Sequence, residues 1–132
     1  ALDGEMQSGV FLCDRTVFAG VYRLQQCLLE RTEMTAFLCL ITLVDAEGEH
    51  ALDARTFKAQ MQQLTRIAGA QLRQGDVLSR YSDNQLVALL PAVSFETARL
   101  TVERIRRVYY EARGSANVMV TYKLRPLQAA DR

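Results

Sequence analysis

The chain has 132 residues, of which 49% are hydrophobic and 23% charged, as in a single globular domain. Its 16 basic and 15 acidic residues give a net charge of +1, so the chain as a whole has no general attraction for a nucleic-acid backbone or an anionic membrane. The three cysteines are widely spaced and His50 is the single histidine, which argues against a zinc site and predicts no bound cofactor. The widely spaced cysteines, together with the lack of a signal peptide or a long apolar span, indicate a cytoplasmic protein.

The domain boundaries are predicted from composition. Residues 1–10 are polar and glycine-containing, like the end of a linker, which suggests that the chain is a piece of a longer protein. Residues 11–127 are predicted to form one domain, and residues 128–132 a polar tail.

The first two elements are predicted from the spacing of apolar residues. Asp14 can cap a helix, and apolar residues then recur at helical spacing, which predicts a helix from about Asp14 to Thr32. The run Ala36 to Val44 has the length of a strand and no alternation, as in a central strand that is covered wholly or partly on both faces.

The remaining elements follow from capping and turn residues. A second helix should begin after Asp53 and end near Gln74 and Gly75. The segments "VLSRY" and "QLVALLP" are predicted as two strands around a tight turn. Ser94 should cap a third helix that ends at Gly114, and the alternating segment "NVMVTYKLRPL" should form a half-buried strand.

The predicted order is a helix followed by β-α-β-β-α-β. This order is typical of the α+β, ferredoxin-like plan, in which an antiparallel sheet carries two helices on one face. The additional N-terminal helix is expected to cover the sheet or a partner. Arg104, Arg106 and Arg107 are expected to lie on a solvated face of the third helix. The plan also serves RNA-binding modules, but the first strand lacks the internal aromatic residues that such modules stack on bases.

A resemblance to a known family emerges around the predicted hairpin. The stretch "RQGDVLSRYSDNQLVALLPAVSFETARLTVERIRR" resembles the signature region of GGDEF domains, the diguanylate cyclases. In that family a strand ending in Arg-Tyr leads into a Gly-Gly-Asp-Glu-Phe hairpin, followed by a strand ending in Leu-Pro and a helix of similar composition. The positions that fit are Arg80, Tyr81, Leu89, Leu90, Pro91, Glu103, Arg104, Ile105 and Arg106. The resemblance implies a nucleotide-cyclase-like fold.

The residues at the hairpin depart from the family pattern. By the resemblance, Ser82 and Asp83 replace the two glycines, Asn84 replaces an aspartate, and Gln85 replaces an acid that helps to hold metal ions. Thr42 aligns with a further metal-binding aspartate on the core strand. Amides and hydroxyls carry no negative charge, whereas two-metal phosphoryl transfer needs anionic ligands. The resemblance therefore predicts a degenerate GGDEF domain that is not an enzyme and holds no metal.

One ligand-binding motif of the family is retained. Arg73 and Asp76 match an Arg-x-x-Asp motif that forms an inhibitory site for cyclic di-GMP in the family. Arg73 can bind a phosphate or stack on guanine, and Asp76 can accept hydrogen bonds from the guanine edge. In the alternative interpretation Arg73 is a cation at a helix C-terminus and Asp76 a turn residue before a strand.

Two functional hypotheses follow. The first is a catalytically inactive regulatory or oligomerisation module, because similar domains stand at the C-terminus of some bacterial transcriptional regulators of the SARP/BTAD type. Its partners would be other domains of the same regulator and a second copy, with DNA contacted only through another domain. The alternative is a non-catalytic sensor that binds cyclic di-GMP or another nucleotide through Arg73 and Asp76.

Overall fold

The computed structural model describes residues 10–29, 35–45, 53–114 and 116–128. In this part of the chain, three helices and five strands form one layered α+β unit. The elements are β1 (Phe11–Cys13), α1 (Arg15–Leu29), β2 (Ala36–Asp45), α2 (Ala54–Gln71), β3 (Val77–Ser82), β4 (Gln85–Pro91), α3 (Phe95–Ala112) and β5 (Val118–Pro126). The strands form one sheet in the order β1-β3-β4-β2-β5.

The predicted helix starts are confirmed by their capping hydrogen bonds. The side chain of Asp53 accepts a bond from the Thr56 amide at 2.7 Å, and the hydroxyl of Ser94 accepts one from the Thr97 amide at 3.1 Å. Asp14 caps α1 in the same way. These bonds satisfy amide groups that the first turn of a helix leaves without partners. The predicted end of the first helix at Thr32 lies outside the described residues.

The predicted end of α2 near Gly75 is wrong. The helix ends at Gln71, and Arg73 to Asp76 form a separate turn in which the Asp76 amide donates to the Arg73 carbonyl at 3.1 Å. Gly75 has φ of +97° at the third position of this turn, which a type II turn requires. The glycine thus serves the turn, not the helix cap.

The predicted β-α-β-β-α-β part of the sheet is antiparallel as expected, and the structure adds a strand that was not predicted, β1, which pairs in parallel with β3. Phe11 lies beside Val77 and Cys13 beside Ser79. The other pairings are antiparallel, so the sheet is mixed. A strand of three residues has no measurable periodicity, and its partner lies more than sixty residues away, so the sequence gives no local signal for it.

The sheet carries a different core on each face. The larger core joins α2 and α3 to alternate residues of the central strands, including Ile41, Leu64 and Ile105. The smaller core joins α1, through Phe18, to Val87 and Leu89 on the opposite face. Two helices on one face were predicted and are confirmed, and α1 covers part of the other face. Among the described helices, none combines the length and the apolar character that crossing a membrane requires.

Candidate functional site

The tip of the β3–β4 hairpin brings the polar residues from the motif region together. Gln85 lies opposite Thr42 in the antiparallel register, and its amide nitrogen donates to the Thr42 hydroxyl at 3.2 Å. The Ser82 hydroxyl is 2.9 Å from Gln85 Oε1 and 3.1 Å from Asn84 Oδ1. The tip is therefore a network of neutral hydroxyl and amide groups that bond to one another.

Asn84 fastens the tip to the central strand. The side-chain amide of Asn84 donates to the Leu43 backbone carbonyl at 3.2 Å, and the backbone carbonyl of Asn84 accepts from the Leu43 backbone amide at 2.8 Å. Asp83 stands apart from this network, exposed at the turn. The guanidinium of Arg80 donates to the backbone carbonyls of Ser82 and Asp83 at 3.0 and 3.1 Å, so it holds the turn closed.

The second predicted site, the turn from Arg73 to Asp76, lies at the other end of β3. Asp76 is 2% exposed, and both of its carboxylate oxygens face Arg73. One oxygen accepts from the Arg73 backbone amide at 2.9 Å, and the other lies 3.2 Å from Nε of the same residue. Burial raises the pKa of Asp76, and the hydrogen bonds and charge of Arg73 offset part of this rise. This geometry indicates that Asp76 positions Arg73.

The guanidinium of Arg73 remains accessible. It also donates to the Pro91 carbonyl at the end of β4, yet its side chain is 52% exposed. Arg73 is therefore a cation held in one orientation at the surface, because a buried carboxylate and a backbone carbonyl both fix it.

Arg104 belongs to the same site as Arg73, although the sequence analysis placed Arg104 only on a solvated face of the third helix. Its guanidinium donates to the side-chain and backbone oxygens of Gln71 at 2.8 and 3.0 Å, at the end of α2. Arg73 and Arg104 line one hollow of about 70 Å³, together with Thr97 and Thr101. Thr97, Thr101 and Arg104 are spaced i, i+4 and i+7 on α3, so a helical projection would have placed them on one face.

Solved structures with the same arrangement of elements are known. No protein-family model and no curated protein matches the chain. A DGC protein from Thermotoga maritima superposes with a TM-score of 0.71 at 17% identity, covering 95% of this chain and 90% of that one. The active GGEEF domain of a diguanylate cyclase from Vibrio cholerae gives 0.75 at 13% identity, covering 91% and 80%. The fold is that of a GGDEF domain.

A third neighbour was solved with a bound ligand. The GGDEF domain of DgcB from Caulobacter crescentus, in complex with c-di-GMP, gives a TM-score of 0.74 at 17% identity, covering 87% of this chain and 72% of that one. At these identities the likeness shows the fold. The resemblance found around the hairpin is thus confirmed at the level of architecture.

The prediction that the chain is not an enzyme is contradicted by these neighbours. They are diguanylate cyclase domains, and the Vibrio cholerae domain is an active one. The prediction rested on single positions of the hairpin motif and on Thr42, whereas the comparison with the active Vibrio cholerae domain covers 91% of the chain.

The donor atoms at the hairpin tip are neutral, whereas a metal-dependent cyclase needs anionic ligands. The side chains of Thr42, Ser82, Asn84 and Gln85 offer neutral oxygens, and the described residues contain no cluster of three carboxylate, histidine or cysteine side chains that could hold a metal ion. Magnesium prefers carboxylate and phosphate oxygens. These side chains therefore do not fit a pair of magnesium ions.

Proposed function

We propose that this chain is a regulatory GGDEF-fold module that binds cyclic di-GMP through Arg73 and Arg104, with Asp76 holding Arg73 in place. The observation that carries the proposal is the convergence of two guanidinium groups, from a turn and from α3, on one surface hollow. Each group is fixed by hydrogen bonds to the protein, so little side-chain entropy is lost when a ligand binds.

The chemistry of the ligand matches this pair of cations. Cyclic di-GMP carries two anionic phosphodiesters and two guanine edges, and a guanidinium binds both a phosphate and the O6 and N7 atoms of guanine in a bidentate manner. The hollow of about 70 Å³ is too small to enclose a dinucleotide, so the ligand lies across its mouth. The neighbour from Caulobacter crescentus, which was solved with c-di-GMP, supports the choice of ligand.

The module is proposed to act on other domains of a larger bacterial regulator. The resemblance to C-terminal domains of SARP/BTAD-type regulators supports this role, and any contact with DNA is assigned to another domain. In this proposal, ligand binding at the surface of α3 and the turn before β3 changes how these elements contact the rest of the protein.

Titration calorimetry with cyclic di-GMP, GTP and ATP tests the ligand. We expect cyclic di-GMP to bind, and Arg73→Ala and Arg104→Ala each to weaken binding about 10- to 100-fold, because each removes a charged hydrogen-bonding group. Arg66→Ala is the control, since Arg66 is an exposed residue of α2 that does not line the hollow. Binding that survives both substitutions, or no binding at all, would overturn the proposal.

Synthesis of cyclic di-GMP is the second candidate, because the neighbours from Thermotoga maritima and Vibrio cholerae are diguanylate cyclases. Incubation with GTP and Mg²⁺, followed by mass spectrometry, detects the product directly. A product that disappears in Gln85→Ala and persists in Arg73→Ala would support chemistry at the hairpin tip. The absence of product would remove this candidate and leave the binding proposal unaffected.

A further inference from the structure

The sheet face that carries α1 is only partly covered. The helix packs over Val77, Val87 and Leu89 on the β3–β4 side of this face. On the β2–β5 side, the antiparallel register places four residue pairs in a row. These pairs are Leu38 with Arg125, Leu40 with Lys123, Thr42 with Thr121, and Val44 with Met119.

This row combines an apolar floor with a basic rim. Leu38 and Leu40 are half-buried and Val87 is buried at the bottom of an open groove of about 280 Å³, whose sides are formed by Tyr81, Lys123 and Arg125. The four pairs contain two cations and no acidic side chain. The guanidinium of Arg15 lies 5.1 Å from the centre of the Tyr81 ring and adds a third positive charge beside the groove.

Beyond the groove, the polar pair of Thr42 and Thr121 is followed by a second apolar part of the row. Val44 and Met119 lie at the far end of the row and are 38% and 44% exposed. From Leu38 to Val44 the row extends about 20 Å, at roughly 3.3 Å per residue. An α-helix of about 14 residues has that length. Exposed apolar surface of this kind is typical of an interaction site.

We propose that this groove is the docking site for an acidic amphipathic helix of a partner protein. The apolar side chains of such a helix, spaced i, i+3, i+4 and i+7, would lie on Leu38, Leu40 and Val44. Its acidic side chains would pair with Lys123 and Arg125. The site is distinct from the Arg73 hollow and does not depend on the proposed function.

Charge argues against a second copy of this chain as the occupant. In each of the three described helices, basic residues outnumber acidic ones. A helix of a second copy would therefore bring positive charge to a basic rim, and like charges across an interface weaken binding.

Fluorescence anisotropy with a designed peptide tests the proposal. The probe is a labelled 16-residue amphipathic helix, about as long as the row, with leucine on one face and glutamate on its flanks. Replacing Lys123 and Arg125 together by Glu should weaken binding at least about tenfold, because two charge pairs become repulsive. The matched control replaces Lys58 and Arg66 by Glu, since this exposed pair on α2 gives the same change of net charge on the opposite side of the sheet.

Two further measurements separate the alternatives. A peptide with lysine in place of each glutamate should bind the Lys123→Glu, Arg125→Glu variant more tightly than it binds the wild type. Val44→Ala with Met119→Ala should weaken binding of the acidic peptide several-fold, because the proposed helix lies along the whole row. Equal loss in the α2 control, no binding of the probe by the wild type, or a dimer that dissociates when Lys123 and Arg125 are replaced would overturn the proposal.

Discussion

Asp76 shows how one buried acid can serve a surface site. Its carboxylate lies beneath Arg73, and burial raises its pKa above the ordinary aspartate value despite the bonds from Arg73. The folded protein therefore binds the Asp76 proton more tightly than the unfolded chain does. Linkage then requires that Asp76 favours folding more as the pH falls from neutral through its folded pKa.

We predict that the free energy of unfolding of the wild type rises relative to that of Asp76→Asn as the pH falls from 7 to 4. Urea unfolding at several pH values between 7 and 4 measures it, because the asparagine cannot titrate. Asp53→Asn is a control of opposite sign: hydrogen bonds from Thr56 lower the pKa of Asp53, so the contribution of its charge is lost as the pH falls. A pH-independent difference for Asp76→Asn would contradict the assignment.

The backbone geometry of Ala92 leads to a second prediction about a single residue. Its φ of +58° lies in the left-handed region, which costs a residue with a side chain roughly 1–2 kcal/mol. Replacement by glycine removes this cost but makes the unfolded chain more flexible. We expect Ala92→Gly to stabilise the protein by roughly 0.5–1 kcal/mol in urea unfolding.

The same substitution at an ordinary helical position provides the comparison. Ala59 is exposed in the middle of α2, where glycine is expected to destabilise by about 1 kcal/mol. If both substitutions destabilise the protein equally, the strain assigned to Ala92 is absent.

At the scale of elements, α1 depends on few buried side chains. Phe18 is the buried residue of the helix, and it packs in the smaller core with Val87 and Leu89. We predict that Phe18→Ala costs roughly 3 kcal/mol of unfolding free energy, because it leaves a cavity between α1 and the sheet. Val17→Ala, one residue earlier and exposed, should cost less than about 1 kcal/mol in the same unfolding experiment. A loss for Phe18→Ala as small as that for Val17→Ala would show that α1 contributes little through its packing.

The elements that the sequence predicts are those with local signals. Capping residues such as Asp53 and Ser94 locate helix starts, and the apolar run of β2 predicts its central place, because these features depend on neighbours in the chain. The strand β1 and the contact of Arg104 with the end of α2 join segments that are far apart in sequence. Such pairings are set by tertiary packing, which a single sequence does not display.

The candidate site likewise has features that the sequence predicts and features that only tertiary packing sets. The hairpin motif and the Arg73–Asp76 spacing are predicted from the sequence, since both lie within short segments. Only the folded chain shows that Asp76 bonds to Arg73, whereas the sequence predicted that it would bind a ligand. Only the folded chain shows that Arg104 lines the same hollow as Arg73.

At the scale of the whole molecule, the order of the strands predicts where the fold is most stable. The strand β2 is paired along its length with β4 and β5, and it lies between the cores of the two faces. The strand β1 has three residues and is hydrogen-bonded on one side only in the described sheet. We predict that the amides of Cys39 to Leu43 exchange with solvent only through global unfolding, and that those of β1 exchange at least about tenfold faster through local opening. Hydrogen exchange followed by NMR at increasing urea checks this: exchange in β2 should show the urea dependence of global unfolding, and exchange in β1 a weaker one. If β1 is protected as strongly as β2, the edge strand belongs to the cooperative core and opens only with it.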